Sequence, residues 1–255
     1  FSRDEAALLD PFLMLDHFGS DRPEDYLPGF PMHPHRGIET VTYMLDGYVD
    51  HKDSLGNHGT IGPGDVQWMT AGSGILHEEM PRKAKGWMQG FQLWVNLPKS
   101  SKMMPPRYRD IKKEDLPVFD LGNGSSIKVI AGESQGLVGP VKDLVVDVKY
   151  LDVSLSSRTV LEHEIPLDRN AFVFVYEGEM LLGGNDARTV TAGSVAVLGE
   201  GDTLRFTVGR RPVRFMFASA KPLREPIAWG GPIVMNTREE LDMAFAELKN
   251  GTFIK

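Results

Sequence analysis

The sequence predicts an all-β protein built from two diverged copies of one small barrel or sandwich, with a single helix at its end. Three observations carry this reading. Glycine (27) and proline (17) are spread through the 255 residues as punctuation between short apolar runs, the pattern of many short strands. The turn signals recur: Asp46-Gly47 followed by Pro63-Gly64-Asp65 is echoed about 130 residues later by Glu177-Gly178 followed by Ala192-Gly193-Ser194. Helical periodicity with both a start and a stop signal is confined to the tail.

The elements follow in order. Ile38 to Leu45, rich in Thr, Val and Tyr, reads as a strand ending in the hairpin turn Asp46-Gly47. Pro63-Gly64-Asp65 turns the chain into a strand at Val66-Gln67-Trp68-Met69, and Ala71-Gly72-Ser73-Gly74 leads into Ile75-Leu76-His77. Gln89 to Leu97 alternates, with Phe91, Leu93 and Val95 on one face. Residues 98–117 are polar and proline-bearing and read as a linker. The expected division is therefore 1–117, a first barrel with linker, and 118–255, a second barrel with the helix. Leu144 to Leu155, Ala171 to Tyr176, Ser194 to Leu198 and Val213 to Ala218 read as the second set of strands. Thr237-Arg238-Glu239-Glu240 is a capping box, Leu241, Phe245 and Leu248 follow at helical spacing, and Asn250-Gly251 is a stop.

Composition removes several classes of function. A 41% hydrophobic and 25% charged chain is ordinary for a soluble globular protein, and no apolar run approaches the roughly 18 residues of a membrane span. The formal charge is −7 and no long Lys/Arg tract is present, which argues against direct binding to a phosphate backbone. No cysteine is available for a disulfide or a thiolate ligand.

Chemistry concentrates in two clusters, His33-Pro34-His35 and His77-Glu78-Glu79. Each places two metal-capable side chains at i, i+2, the spacing that points both to one face of a strand. Two such strands side by side would gather three imidazoles and a carboxylate, a donor set that suits a first-row transition metal. Glu39 has the parity of His33 and His35, so it competes with Glu79 as the carboxylate. His17, His51, His58 and His163 read as surface or hydrogen-bonded histidines, with His51 and His58 in a solvated loop. Trp68 and Trp94 read as core or pocket wall, and Phe30 and Met32 flank the first candidate ligand, where either could line a pocket mouth. Arg36 is placed to pair with a carboxylate.

His33-x-His35-x-x-x-Glu39 followed by Gly47 resembles the first motif of the cupin superfamily, and Pro63-Gly64 with His77 loosely matches the second. Longer blocks resemble the pirin family within it. They include Asp10-Pro11-Phe12-Leu13, the run from His33 to Val41, the run from Gly64 to Gly72, Gly74-Ile75-Leu76-His77-x-Glu79, Leu93-Trp94-Val95-Asn96-Leu97 and the run from Pro232 to Thr237. The resemblance covers essentially the whole chain. It implies a bicupin, two β-barrels face to face, with iron in the N-terminal barrel only. The iron ligands then fall on His33, His35, His77 and Glu79, and Glu39 becomes a neighbour of the metal. Manganese, cobalt, nickel or copper would satisfy the same donors.

The activity implied is that of a quercetin (flavonol) 2,3-dioxygenase, which opens the ring with dioxygen and releases carbon monoxide. Glu79, or Glu39 nearby, is the general-base candidate, and Phe30 a substrate contact. The partners are then a flavonol-like small molecule and dioxygen, with neither nucleic acid nor membrane, in the cytoplasm. The alternative the family offers is a non-enzymatic, iron-dependent redox-sensing transcription cofactor, with a protein partner and, in a eukaryote, a nuclear location.

Overall fold

The computed structural model describes residues 1–84 and 86–255. They form two compact units: Phe1–Ala6, Pro11–Lys113 and Leu223–Lys255 make unit 1, and Ala7–Asp10 with Glu114–Pro222 make unit 2. The N-terminal region contributes two single-turn helices, α1 (Ala6–Leu9) and α2 (Pro23–Tyr26). Nine strands follow one another in unit 1: β1 (Phe12–Ser20), β2 (Phe30–His35), β3 (Ile38–Asp46), β4 (Val49–Asp53), β5 (His58–Ile61), β6 (Val66–Thr70), β7 (Ile75–Pro81), β8 (Met88–Asn96) and β9 (Arg107–Ile111). They pair antiparallel into a sheet of order β1-β8-β3-β6-β9 and a second of order β2-β7-β4-β5. Apolar side chains from both sheets meet between them, as with Met44 and Met88 of one against Val49 and Ile61 of the other.

Gly37 is the hinge from one sheet to the other. It sits at φ +77°, and a Cβ there would lie 2.0 Å from the Val234 carbonyl oxygen, so both its dihedral and its neighbour require glycine. The parity shared by His33, His35 and Glu39 does not survive this change of sheet.

Unit 2 contains β10 (Val118–Gly122), β11 (Ser125–Ala131), the short hairpin β12 (Glu133–Ser134) and β13 (Leu137–Val138), then β14 (Lys149–Leu155), β15 (Val160–Glu164), β16 (Asn170–Glu177), β17 (Glu179–Leu182), β18 (Arg188–Thr191), β19 (Ser194–Val197), β20 (Thr203–Val208) and β21 (Val213–Ala220). Its sheets run β10-β11-β14-β21-β16-β19 and β15-β20-β17-β18. The order β14-β21-β16-β19 beside β15-β20-β17-β18 repeats β1-β8-β3-β6 beside β2-β7-β4-β5, so the repeat read from turn signals exists at the level of topology. Leu151, Val153, Val173 and Phe215 of one sheet pack against Met180, Leu204, Phe206 and Val208 of the other. The strand expected from Leu144 begins at Lys149.

The chain closes with β22 (Ala228–Gly230), β23 (Ile233–Met235) and α3 (Arg238–Asn250). The capping box is present: Thr237 Oγ1 accepts from Glu240 N, and Glu240 Oε2 accepts from Thr237 N. Gly251 ends the helix at φ +73°. Leu241 and Ala244 face the core with Ile233, Met235 and Phe253, whereas Phe245 is substantially exposed.

Two expectations are corrected. The helical tail, assigned by sequence to the second half, packs in unit 1. The stretch 98–117 is more than a linker, because β9 pairs with the edge of β6 in register Val66↔Ile111. Its alternation is masked by charge at Arg107, Arg109 and Asp110.

Candidate metal centre

β2 and β7 build the site. They pair antiparallel with His33 directly opposite His77 and His35 opposite Ile75. Alternation along β7 buries Ile75, His77 and Glu79 and turns Leu76 and Glu78 outward. The three imidazoles converge, with ring centroids 4.3 Å apart for His33–His77 and 4.9 Å for both other pairs. One ring nitrogen from each lies within 4.8 Å of the others, so the group could hold a metal ion.

The hydrogen bonds around the rings test whether a metal fits. His33 Nδ1 faces the Pro31 carbonyl at 2.9 Å and His35 Nδ1 faces the Pro232 carbonyl at 3.2 Å. A carbonyl only accepts, so each Nδ1 carries the proton, and in a neutral ring Nε2 is left as a bare lone pair. Those two Nε2 atoms lie 3.1 Å apart with no proton to share between them. His77 is fully buried, and neither of its nitrogens has a partner. Buried polar atoms without partners are costly, and a cation at the point where they meet satisfies all three.

The protonation states agree. Burial pulls His35 down to about 3, with His33 adding to the effect. Burial also lowers His33 and, far more, His77, where His35, His33 and His51 add repulsion. All three rings are neutral at neutral pH, the form that binds a metal.

Glu79 shares the face of His77 but stands apart from the histidine group among the described residues. Its Oε1 lies 3.2 Å from Thr42 Oγ1, which also reaches Gln92 Oε1 at 2.6 Å. Burial raises its carboxyl to about 7, with the Thr42 hydrogen bond opposing the rise. Glu39 is placed differently. Its Oε1 accepts from Thr70 Oγ1 at 2.6 Å, and strand alternation puts residues 39 and 42 on opposite faces of β3. Glu39 therefore does not face the side of β3 that meets Glu79, which corrects its reading as a general-base candidate. Phe30 and Met32 are exposed, with the Phe30 ring 6.3 Å from His33. Trp94 meets His35 edge-on at 5.2 Å, while Trp68 is wholly core.

His51 is the residue the sequence reading missed. It lies in β4 of the β4–β5 hairpin, not in a solvated loop, and is buried with its ring 5.3 Å from His77 and stacked on Tyr108 at 4.4 Å. It pairs across strands with Glu79, its Nε2 lies 3.6 Å from the buried Asp53 Oδ2, and its Nδ1 has no hydrogen-bond partner. The signal was present: in Val49-Asp50-His51-Lys52-Asp53 the charges at 50 and 52 mark the outward face, which sends His51 inward. His17 is hydrogen-bonded to Gln89 and His58 is exposed, as expected.

In unit 2, His163 is buried rather than at the surface, against Phe217. The strand opposite carries Leu204 and Phe206 across from His163 and Leu161, so a His-x-Glu pair is replaced by Leu-x-Phe. His163 lines a cavity of about 970 Å³ with Lys149 and Arg169 and with the acidic Glu133, Asp147, Glu162, Glu164 and Asp202, and among the described residues no second histidine lines it.

The pirin family profile matches residues 1–95, and that of the pirin C-terminal cupin domain matches residues 150–254. A pirin-like protein of Caulobacter vibrioides is 48% identical over 250 residues, covering 98% of this chain and 89% of the relative. Pirin of Rattus norvegicus is 41% identical over 250 residues, covering 96% and 83%. A crystal structure of quercetin 2,3-dioxygenase from Acinetobacter baumannii superimposes with TM-score 0.91 at 38% identity, covering 99% of this chain and 90% of that one. A bacterial pirin of Escherichia coli in complex with nickel(II) shares the fold at 19% identity, with TM-score 0.67 and 84% of each chain covered. A two-unit β fold with paired cupin-type sheets, matched nearly end to end by these relatives, leads to one conclusion: the chain belongs to the pirin family.

Proposed function

We propose that His33, His35 and His77, with Glu79 as the carboxylate of the set, hold one transition metal in unit 1, iron by preference, and that this centre opens a flavonol such as quercetin with dioxygen. The observation that carries the proposal is the pair of Nε2 atoms 3.1 Å apart beside the partnerless, buried ring of His77. Three neutral nitrogens and a carboxylate suit iron, and manganese, cobalt, nickel or copper accept the same donors. The relative solved as a quercetin 2,3-dioxygenase supports the choice of substrate.

A bound metal would supply Lewis acidity toward the enolic 3-hydroxyl of the flavonol and a path for electrons to dioxygen. The chain's own residues do the rest. Glu79, whose carboxyl burial raises to about 7 in the metal-free site, is the base for the hydroxyl proton once it leaves the ligand set, and Thr42, itself bonded to Gln92, holds its carboxyl. Trp94 walls the site beside His35, and Phe30 at the exposed side of His33 contacts the flat aromatic rings. One dioxygen is consumed, and the ring carbon between the cleaved bonds leaves as carbon monoxide, giving a depside. Unit 2, with Leu204 and Phe206 where unit 1 has ligands, stays metal-free.

The test compares quercetin with a flavone lacking the 3-hydroxyl, using metal-loaded protein and following dioxygen uptake and carbon monoxide release. Rapid turnover of quercetin alone, lost in His77→Ala, is the expected result. Equal rates on both compounds would reduce the activity to nonspecific metal oxidation. Tight metal binding without turnover would favour the redox-sensing partner protein instead.

A further inference from the structure

The three histidine rings are not held alike. His33 finds its carbonyl two residues away, at Pro31, on its own strand. His35 finds its carbonyl 197 residues away, at Pro232 in the C-terminal segment. That segment is fastened to the ligand-bearing strand at several further points. Arg36 and Ile233 form a parallel bridge, and Val234 N donates to the Arg36 carbonyl at 3.0 Å. Lys102 Nζ, buried, donates to the carbonyls of both Gly37 and Val234 at 2.9 Å and to Asn96 Oδ1 at 2.7 Å. The Arg36 guanidinium donates to Glu247 Oε2 and to the Phe253 carbonyl, both at 2.7 Å, and lies 4.1 Å over the Phe253 ring. Leu76, beside His77, packs on the same tail residues, and a Cβ at Gly74 would lie 2.9 Å from the Phe253 carbonyl.

We propose that the C-terminal segment from Pro232 to Phe253 is a working part of the metal centre: the Pro232 carbonyl fixes His35 in the tautomer that presents Nε2, and Arg36, locked to Glu247 and Phe253, keeps that carbonyl in register. The proposal rests on the reading of His35 as a ligand. Its physical basis is that a neutral imidazole has one proton for two nitrogens. Without a carbonyl at Nδ1 the proton can move to Nε2, which then cannot bind metal, and the ring is free to rotate. Loss of such an outer hydrogen bond weakens metal affinity about 10- to 100-fold. Arg36 is in this sense a positioning residue. Its planar fork meets a carboxylate and a carbonyl together, which a lysine ammonium does not reproduce.

The experiment uses the full chain in three variants: Arg36→Met, Arg36→Lys and Glu247→Ala, the last at a partly exposed helix position where folding is least at risk. Two readouts are taken. Long-range 15N–1H NMR correlations of metal-free protein report the His35 tautomer, and chelator competition reports the dissociation constant for cobalt(II). Wild type should show His35 protonated at Nδ1. Arg36→Met should mix the tautomers and weaken cobalt binding about 10- to 100-fold, with Arg36→Lys and Glu247→Ala each weakening it severalfold. A tail with only a structural role would lower the melting temperature and leave both readouts unchanged, and that result overturns the proposal. Wild-type His35 protonated at Nε2 in metal-free protein overturns it too, whatever the metal data. Absence of cobalt binding by wild type with the Nδ1 tautomer in place would instead sink the ligand assignment. If Arg36→Met does not fold, the other two variants decide by the same measures.

Discussion

Replacing Glu79 with Gln should make the metal-free protein more stable while weakening its hold on metal. The magnitude follows from where the carboxyl sits. It is buried with Thr42 as its hydrogen-bond partner, and its pKa is raised from 4.5 to about 7. Each tenfold change in proton affinity is worth about 1.4 kcal/mol, so ionising Glu79 in the folded, metal-free state costs about 3 kcal/mol relative to the unfolded chain. The sign follows from proton counts. Between pH 4.5 and 7 the folded state holds a proton that the unfolded state has lost, so this group favours folding as pH falls and disfavours it as pH rises through that window. Glutamine carries no charge at any pH and avoids the cost. At pH 8 with chelator present, Glu79→Gln should therefore be stabilised by up to about 3 kcal/mol, and near pH 4.5 the gain should vanish. With metal restored the order should reverse, because an amide is a poorer ligand than a carboxylate. The assay is urea denaturation followed by circular dichroism at pH 8 and pH 4.5, with and without chelator, alongside metal content. Glu39→Gln is the control and should leave metal content unchanged. A variant no more stable than wild type at pH 8 in chelator, or one that keeps full metal affinity, would refute the reasoning.

Two further outcomes are expected. Elemental analysis of protein purified without a metal-binding tag should give about one metal per chain, since His163 stands opposite Leu204 and no second histidine lines its cavity among the described residues; two equivalents would contradict the division between the units. Lys102→Met removes three hydrogen bonds made by a buried amine whose pKa burial lowers to about 7, and at about 0.5–1.5 kcal/mol per bond a net loss of about 2–4 kcal/mol is expected in chemical denaturation at neutral pH.

The sequence carried the strand pattern, the repeat, the capped helix and the pairing of His33-x-His35 with His77, because all of these are local or follow from alternation. Long-range structure is where it fell short. Parity was carried from His35 to Glu39 across Gly37, which turns the chain into a different sheet. The stretch around His51 and His58 bears Gly, Asp and Asn and reads as a solvated loop, although Asp50 and Lys52 mark only the outward face of a hairpin strand. The tail was placed with the half that precedes it, although Arg36 holds it to unit 1 through Glu247. Nothing in the composition of Pro232-Ile233-Val234 announces which distant strand it will join. Trp94 and Thr42 met the site through strand register, which single-sequence reading resolves only where a turn fixes it.

The distance along the chain between His35 and Pro232 also has a consequence in time. A ribosome adds about 5–20 residues per second, so the 197 residues that separate ring from carbonyl take roughly 10–40 s to make. Once β7 has been made, 46 residues after His35, β2 and β7 can pair and the three rings can meet for the rest of that interval, yet His35 lacks its hydrogen-bond partner and the Gly37 hinge lacks Val234 against it. The newborn N-terminal half is a loose cage whose last wall arrives with Pro232, and on the proposed reading firm capture of a metal waits for that residue.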